Sequence, residues 1–128
     1  MNDFYKFEEI TEDKISEINN IINQIVSKYK IKKFNVTLVF YELINNALSY
    51  GSSNIVLTFK LYDNHFFFRI NDNGNGFNHK KYLNYDKHSI KEKSIKESGR
   101  GIYLAKNFSD KLIYNKLGNS VIALFYEK

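Results

Sequence analysis

The sequence predicts an α+β fold: a two-layer α/β sandwich whose mixed, mostly antiparallel sheet is covered by helices on one face. Three observations predict it. Apolar residues recur at helical spacing across residues 12–50, the period then changes to two between Ile55 and Ile70, and one more helical stretch precedes a last alternating pair of runs.

Taken in order, residues 4–9 form a first strand. Thr11-Glu12-Asp13 starts a helix, with a capping hydroxyl and acids in the first turn. Ile15, Ile18, Ile21, Ile22, Ile25 and Val26 carry that helix to Lys30. A second helix runs from Asn35 to Tyr50 and stops at Gly51. Ile55, Leu57, Phe59 and Leu61 then alternate with Val56, Thr58, Lys60 and Tyr62. Asp63-Asn64 turns the chain, and Phe66, Phe68 and Ile70 alternate with Phe67 and Arg69, which makes a hairpin with one strongly apolar face. Residues 78–98 show no clean period and are expected to be a mobile loop with some helix. A short helix follows from Gly101 to Phe108, then strands at Lys111–Lys116 and Ser120–Tyr126, joined by Leu117-Gly118-Asn119.

A length of 128 residues fits one domain, 1–128, and 43% hydrophobic with 16% aromatic residues is enough for a real core. The chain has no cysteine, which excludes disulfides, thiolate metal sites and cysteine nucleophiles. No apolar run approaches the roughly 20 residues that span a bilayer, and Met1-Asn2-Asp3-Phe4-Tyr5 lacks the layout of a signal peptide. A soluble, cytoplasmic protein with no membrane partner is expected. The formal charge of +5 is partly local. Lys80, Lys81, Lys87, Lys91, Lys93 and Lys96 outnumber Asp86, Glu92 and Glu97 within the one loop, the pattern of an anion-attracting segment rather than of a nucleic-acid face. The aromatics fall mostly on buried strand faces, so no direct nucleic-acid role is expected. His65, His79 and His88 show no ligand spacing, and Ser49, Ser52 and Ser53 lack a nearby histidine base.

Three segments carry chemistry. In the second helix Val36, Val39, Phe40, Leu43, Ile44 and Ala47 share one face, and Glu42 and Asn46, four residues apart, are neighbours at its margin. A carboxylate there is partly desolvated and needs a partner. An amide oxygen suits Mg²⁺, and a partly buried Glu can orient a water or hydroxyl as a base. Alone, Glu-x-x-x-Asn is more often the polar border of an amphipathic helix. Asp72 directly follows a buried strand and precedes a turn through Gly74 and Gly76, where glycine lets a flat ligand approach the backbone. Such a carboxylate must accept hydrogen bonds, and the exocyclic amine of adenine is one natural donor; alone, Asp-Asn-Gly-Asn-Gly is more often a plain turn. Gly99-Arg100-Gly101 opens the third helix, where unpaired N–H groups, the helix dipole and Arg100 attract anions. The Lys-Ser/Thr ending of a P-loop is missing, and no strand leads into a dinucleotide fingerprint.

In this order the segments resemble the GHKL superfamily, the Bergerat-type ATP-binding fold of gyrase B, Hsp90, histidine kinases and MutL. Glu42 to Ala47 looks like its N box, Asp72 to Gly76 its Asp-x-Gly-x-Gly box, Gly99 to Gly101 its second glycine box, and Gly118-Asn119-Ser120 its terminal Gly-x-Thr with serine for threonine. Tyr50 stands where histidine is frequent. Within the superfamily the chain is most similar to the small anti-sigma-factor serine/threonine-protein kinases, to judge by Gly-Arg-Gly-Ile-Tyr-Leu-Ala at 99–105 and Gly-Asn-Ser-Val-Ile-Ala-Leu at 118–124. Gyrase, Hsp90 and MutL need a further domain that donates a lysine, and sensor kinases need a helical domain bearing the phosphorylated histidine. Neither is expected within these 128 residues.

The resemblance implies ATP and Mg²⁺ as ligands. Glu42 would be the catalytic base and Asn46 the Mg²⁺ ligand. Asp72 would accept the adenine amine, Gly74 and Gly76 would line the base pocket, and Ser120 would join them. Gly99, Arg100 and Gly101 would sit near the phosphates, under an ATP lid at 78–98. The implied activity is phosphorylation of a serine on an anti-anti-sigma partner, with a sigma factor as second partner and a homodimer as the assembly. The alternatives are a non-catalytic ATP-gated adaptor and a stand-alone histidine-kinase-type ATPase domain.

Overall fold

Strand alternation sorts the side chains of the sheet into an apolar face and a mixed one, and the helices cover the apolar face. The computed structural model describes residues 3–50, 54–72 and 97–128, of which Ser49, Tyr50 and 97–100 are described by backbone alone. The elements are β1 (Asp3–Phe7), α1 (Glu12–Tyr29), α2 (Lys33–Tyr50), β2 (Val56–Leu61), β3 (His65–Asn71), α3 (Glu97–Phe108), β4 (Lys111–Tyr114) and β5 (Ser120–Tyr126). The strands form one sheet in the order β1-β2-β3-β5-β4, antiparallel at every pairing. The expected α+β sandwich is therefore present, with an antiparallel sheet among the described residues.

The register stacks like on like. Phe59 lies opposite Phe68, Phe66 opposite Phe125, and Ile70 opposite Val121, all buried on the helix side. Onto this face α1 sets Ile18, Ile22, Ile25 and Tyr29, and α2 sets Val36, Val39, Phe40, Leu43 and Ala47. The Phe40 ring stands edge-on to Phe68 at 5.7 Å, an arrangement that aromatic quadrupoles favour. Tyr29 tilts over Phe66 at 5.2 Å and donates its hydroxyl hydrogen to the Tyr62 carbonyl, which ties α1 to the β2–β3 hairpin. Ile102 and Ala105 bury one face of α3.

Several boundaries differ from the sequence reading. Thr11 is extended at the start of α1, but its hydroxyl makes no cap; its carbonyl instead accepts the Ile15 N–H at 3.0 Å. Helix α1 ends at Lys30, in the left-handed region at φ 57°, and its N–H bonds the Val26 carbonyl. That reversal brings Ile31 into the core and starts α2 two residues before the expected Asn35. The first strand is Asp3–Phe7 rather than 4–9. Strand β4 stops at Tyr114 because the Asn115 Oδ1 collects the N–H groups of Gly118, Asn119 and Ser120 at 2.8, 3.0 and 3.1 Å. Gly118, at φ 86°, supplies the left-handed step this turn requires.

Replacing Phe68 by Ala removes the ring that meets Phe40, Phe59 and Phe125. The expected loss is about 3–5 kcal/mol of unfolding free energy, read from urea titration. A loss below about 1.5 kcal/mol would show that the site collapses around the gap, contrary to a close-packed aromatic layer.

Candidate functional site

Packing of α2 on the sheet sets the orientation of its polar margin. Leu43 and Ala47 point into the core, Asn46 lies beside them at only 7% exposure, and Glu42 is half-buried one turn earlier. On the sheet side, the alternation that buries Phe66, Phe68 and Ile70 continues one step past β3, so Asp72 enters the same side at 8% exposure. The Asp72 N–H donates to the Asn119 carbonyl at 2.9 Å, which extends the β3–β5 ladder beyond the Asn71–Ser120 pair and fixes the carboxylate's root.

These groups face a common cavity. Leu43, Ile70 and Val121 line its apolar part; Asn46 and Ala47 come from α2, Asp72 from the end of β3, and Tyr114 from β4. Gly118, Asn119 and Ser120 close it from the turn that Asn115 organises. The structure thus brings Asn46, Asp72 and Ser120 together, three positions remote in sequence. Tyr114 was not singled out from the sequence, and Asn119 only as the middle residue of the terminal box. The signal for Tyr114 was available, since it stands in step with Leu112 on the inward side of its strand.

Tyr114 is opposite Val121, and burial pushes its hydroxyl well above the usual phenol range. The Asn46 side chain lies beside that hydroxyl and holds the upward shift back in part. The Asn46 Nδ2 itself has no acceptor among the described residues. A buried amide with an unsatisfied donor is costly unless a water or a bound group supplies the acceptor.

Glu42 lies against α3. A Cβ placed on Gly101 would collide with the Glu42 Oε2 and stand 3.3 Å from its Cδ. Phe108 meets Phe34 and Gly101 meets Glu42, so α3 runs antiparallel to α2 and its N-terminal turn lies toward the Asn46 end. That helix begins at Glu97, four residues before the expected start. Gly99 and Arg100 are thereby in its first turn, and Gly101 is one turn in, packed against Glu42. Gly74, Gly76, the Arg100 side chain, the Tyr50 side chain and most of the 78–98 segment lie outside the described residues; Glu97 and Ser98 of that segment begin α3. His65 stacks on Tyr62 at 4.7 Å in the hairpin, away from the cavity. No group of three or more His, Cys, Asp or Glu residues that could hold a metal ion occurs among the described residues. No helix among them is long and apolar enough to cross a membrane.

A helix-covered antiparallel sheet, with a carboxylate and an amide sunk into one cavity, suits a nucleotide-binding domain. Residues 9–125 match the model of the histidine kinase-like ATPase domain, and the chain belongs to that family of ATP-binding domains. No curated protein matches the chain.

In an ordinary helix, Gly→Ala stabilises by about 1 kcal/mol. Gly101→Ala is expected to fall short of that gain, because the new methyl displaces the Glu42 carboxylate. Urea unfolding of the variant decides: a gain of about 1 kcal/mol would mean that the two helices have room to spare.

Proposed function

We propose that this protein is an ATP-dependent serine/threonine-protein kinase of the anti-sigma type, which phosphorylates a serine on an anti-anti-sigma protein and also binds a sigma factor. The observation that carries the reading is the convergence of buried Asn46, buried Asp72 and Ser120 in one cavity, with Glu42 a helical turn away. It is supported further by the likeness of residues 99–105 and 118–124 to that group of kinases.

The residues fit ATP. Asp72 accepts the exocyclic amine of adenine, with Ser120 beside it and Ile70 and Val121 against the flat base. Asn46 lies between Asp72 and the first turn of α3, where the phosphates belong. Mg²⁺ also fits this donor set: it commonly keeps several waters and is held by one or two protein ligands plus phosphate oxygens, so no carboxylate cluster is needed. Asn46 would hold it, and its chemistry is to neutralise charge on the phosphates. Gly74, Gly76, Gly99 and Arg100 are assigned to the base pocket and the phosphate end, with the lid at 78–98. In the transfer, the substrate serine Oγ bonds to the γ-phosphorus as the bond from that phosphorus to the ADP oxygen breaks. Glu42, half-buried and held against Gly101, takes the serine proton.

ATP as substrate and a sigma factor as partner would place the protein in the cytoplasm. A homodimer is proposed through the sheet face opposite the helices. There Ile113 is 51% exposed and Phe4 56% exposed, and Phe67, Ile122 and Leu124 are half-buried. Light scattering of the parent and of Ile113→Asp is expected to give a dimer and a monomer respectively; a monomeric parent at high micromolar concentration retires this assembly.

The kinase reading predicts that Asp72→Asn abolishes ATP binding by calorimetry. Glu42→Ala is expected to keep binding while losing about 10²–10⁴-fold in label transfer from γ-labelled ATP to a serine-bearing partner. Asp72→Asn that binds ATP like the parent removes the pocket assignment. Binding without transfer points to an ATP-gated adaptor, and an acid-labile phosphoprotein to a histidine-kinase-type domain.

A further inference from the structure

We propose that the trough between α1 and α2 docks one amphipathic helix of a partner protein, a helix whose apolar side repeats every seven residues and whose end over Lys30, Lys32 and Lys33 is acidic. The trough and the cavity lie on different sides of α2, since Tyr41 and Asn46 are about 140° apart around that helix. The inference therefore stands apart from the nucleotide reading.

Three observations carry it. First, the outward side of α2 is apolar where such a side is ordinarily polar. Phe34 is 64% exposed and Leu48 60%, with exposed Tyr41 between them. Half-buried Leu38 joins the same line, which runs about 21 Å from Phe34 to Leu48. Phe34, Leu38 and Tyr41 also line a surface hollow with Lys33 and Thr37. The edge-on contact with Phe108, at 5.9 Å, holds the Phe34 ring in place, so little freedom is lost when the ring is covered.

Second, α1 supplies a matching wall. The Tyr41 hydroxyl donates to the Asn19 Oδ1 at 3.3 Å. Exposed Ile15 and half-buried Val26 stand on the same side of α1 as Asn19, one turn before it and two turns after. The short bend at 30–32 makes the two helices antiparallel, so Ile15 lies toward Leu48 and Val26 toward Phe34.

Third, spacing and charge specify the occupant. Phe34, Tyr41 and Leu48 are seven residues apart. Supercoiled helices meet each other's side chains at that interval, whereas a strand repeats every two residues and a lipid surface needs no such period. An apolar trough between two helices is the shape that receives an amphipathic helix. At its Phe34 end Lys30, Lys32 and Lys33 are all exposed, which favours an acidic end on the occupant and disfavours a basic one. The α2 of a second copy suits this place poorly. Its one acid is Glu42, and that side chain faces α3.

The test uses the full chain and a synthetic helical peptide of about 18 residues, with leucine at the a and d positions of its heptads and glutamate through its last turn. Calorimetry is expected to give micromolar binding that weakens with salt, and in ¹⁵N-labelled protein the amide shifts should map to α1 and the outward side of α2. Lysine in place of the glutamates should weaken binding about ten-fold or more, and so should the double variant Phe34→Ser, Leu48→Ser. That variant should keep the parent's response to ATP. Lys30→Glu, Lys32→Glu and Lys33→Glu together should invert the preference between the two peptides. No binding of the glutamate peptide at about 1 mM, equal binding of the lysine peptide, or equal binding by the double variant would each overturn the proposal. Equal binding of the same peptide broken by central prolines would overturn it too, by making the occupant an extended segment. Anionic vesicles that retain the parent and release the double variant would assign the face to a membrane. A dimer that survives Ile113→Asp but not the double variant would assign it to a second copy. Either result overturns the proposal, whereas a parent that binds no ATP removes the nucleotide reading and leaves the trough standing.

Discussion

The seating of α2 on the sheet is the constraint on which the rest depends. Phe40, edge-on to Phe68, fixes the rotation of that helix. Each residue turns about 100°, so from Phe40 the side chains of Leu43 and Ala47 return to the sheet, Asn46 points about a third of a turn aside, and Glu42 farther out. The burial follows this order: Leu43 and Ala47 in the core, Asn46 just inside it, Glu42 half-buried. One aromatic contact thereby decides which polar group is sunk in the cavity and which stands at its mouth. Cavity and core are not separate constructions, because Leu43, Ile70 and Val121 belong to both.

Most of this architecture was legible because two periods carry it. The alternation from Ile55 to Ile70 gave the hairpin, its turn and its inward residues, and the helical spacing of six apolar residues gave α1. The positions of Glu42 and Asn46 on the margin of α2 followed from the same arithmetic. What was not legible was decided by hydrogen bonds instead of by hydrophobicity. Thr11 carries the residue type of a cap, yet the chain satisfies that turn through its carbonyl. The end of β4 was set by Asn115, whose side chain collects three N–H groups of the following turn. The early start of α3 was hidden because Ser98, Gly99 and Gly101 are poor or indifferent helix formers, so only packing along α2 makes that turn helical. Gly101 looked like an anion-binding glycine, and that it also packs closely on α2 could be seen only by knowing which carboxylate lies across from it.

Tyr114 escaped the sequence reading for a different reason. In strand β4 it alternates correctly with Leu112, so its burial was predictable, but its polarity mattered only once Asn46 was known to lie across the cavity. Pairs of this kind, 68 residues apart in sequence, are set by topology: β4 pairs with β5, β5 with β3, and α2 spans them.

The same alternation that builds the core also delivers the site. Moving along β3 on the inward side, Phe66, Phe68 and Ile70 are apolar and Asp72 is not. The change occurs where the strand leaves the last full pairing, Asn71 with Ser120, and where the ladder survives by one further bond to Asn119. An inward carboxylate earlier in the strand would be surrounded by phenylalanine and would have to be neutralised or paired. One placed later would have left the ladder and reached solvent, losing its aim. Position 72 is the step at which backbone geometry is still fixed by the sheet while the aromatic layer has ended. A carboxylate at that step is held by the sheet and kept largely dry while it lines the cavity. No other inward position on this strand meets those conditions together.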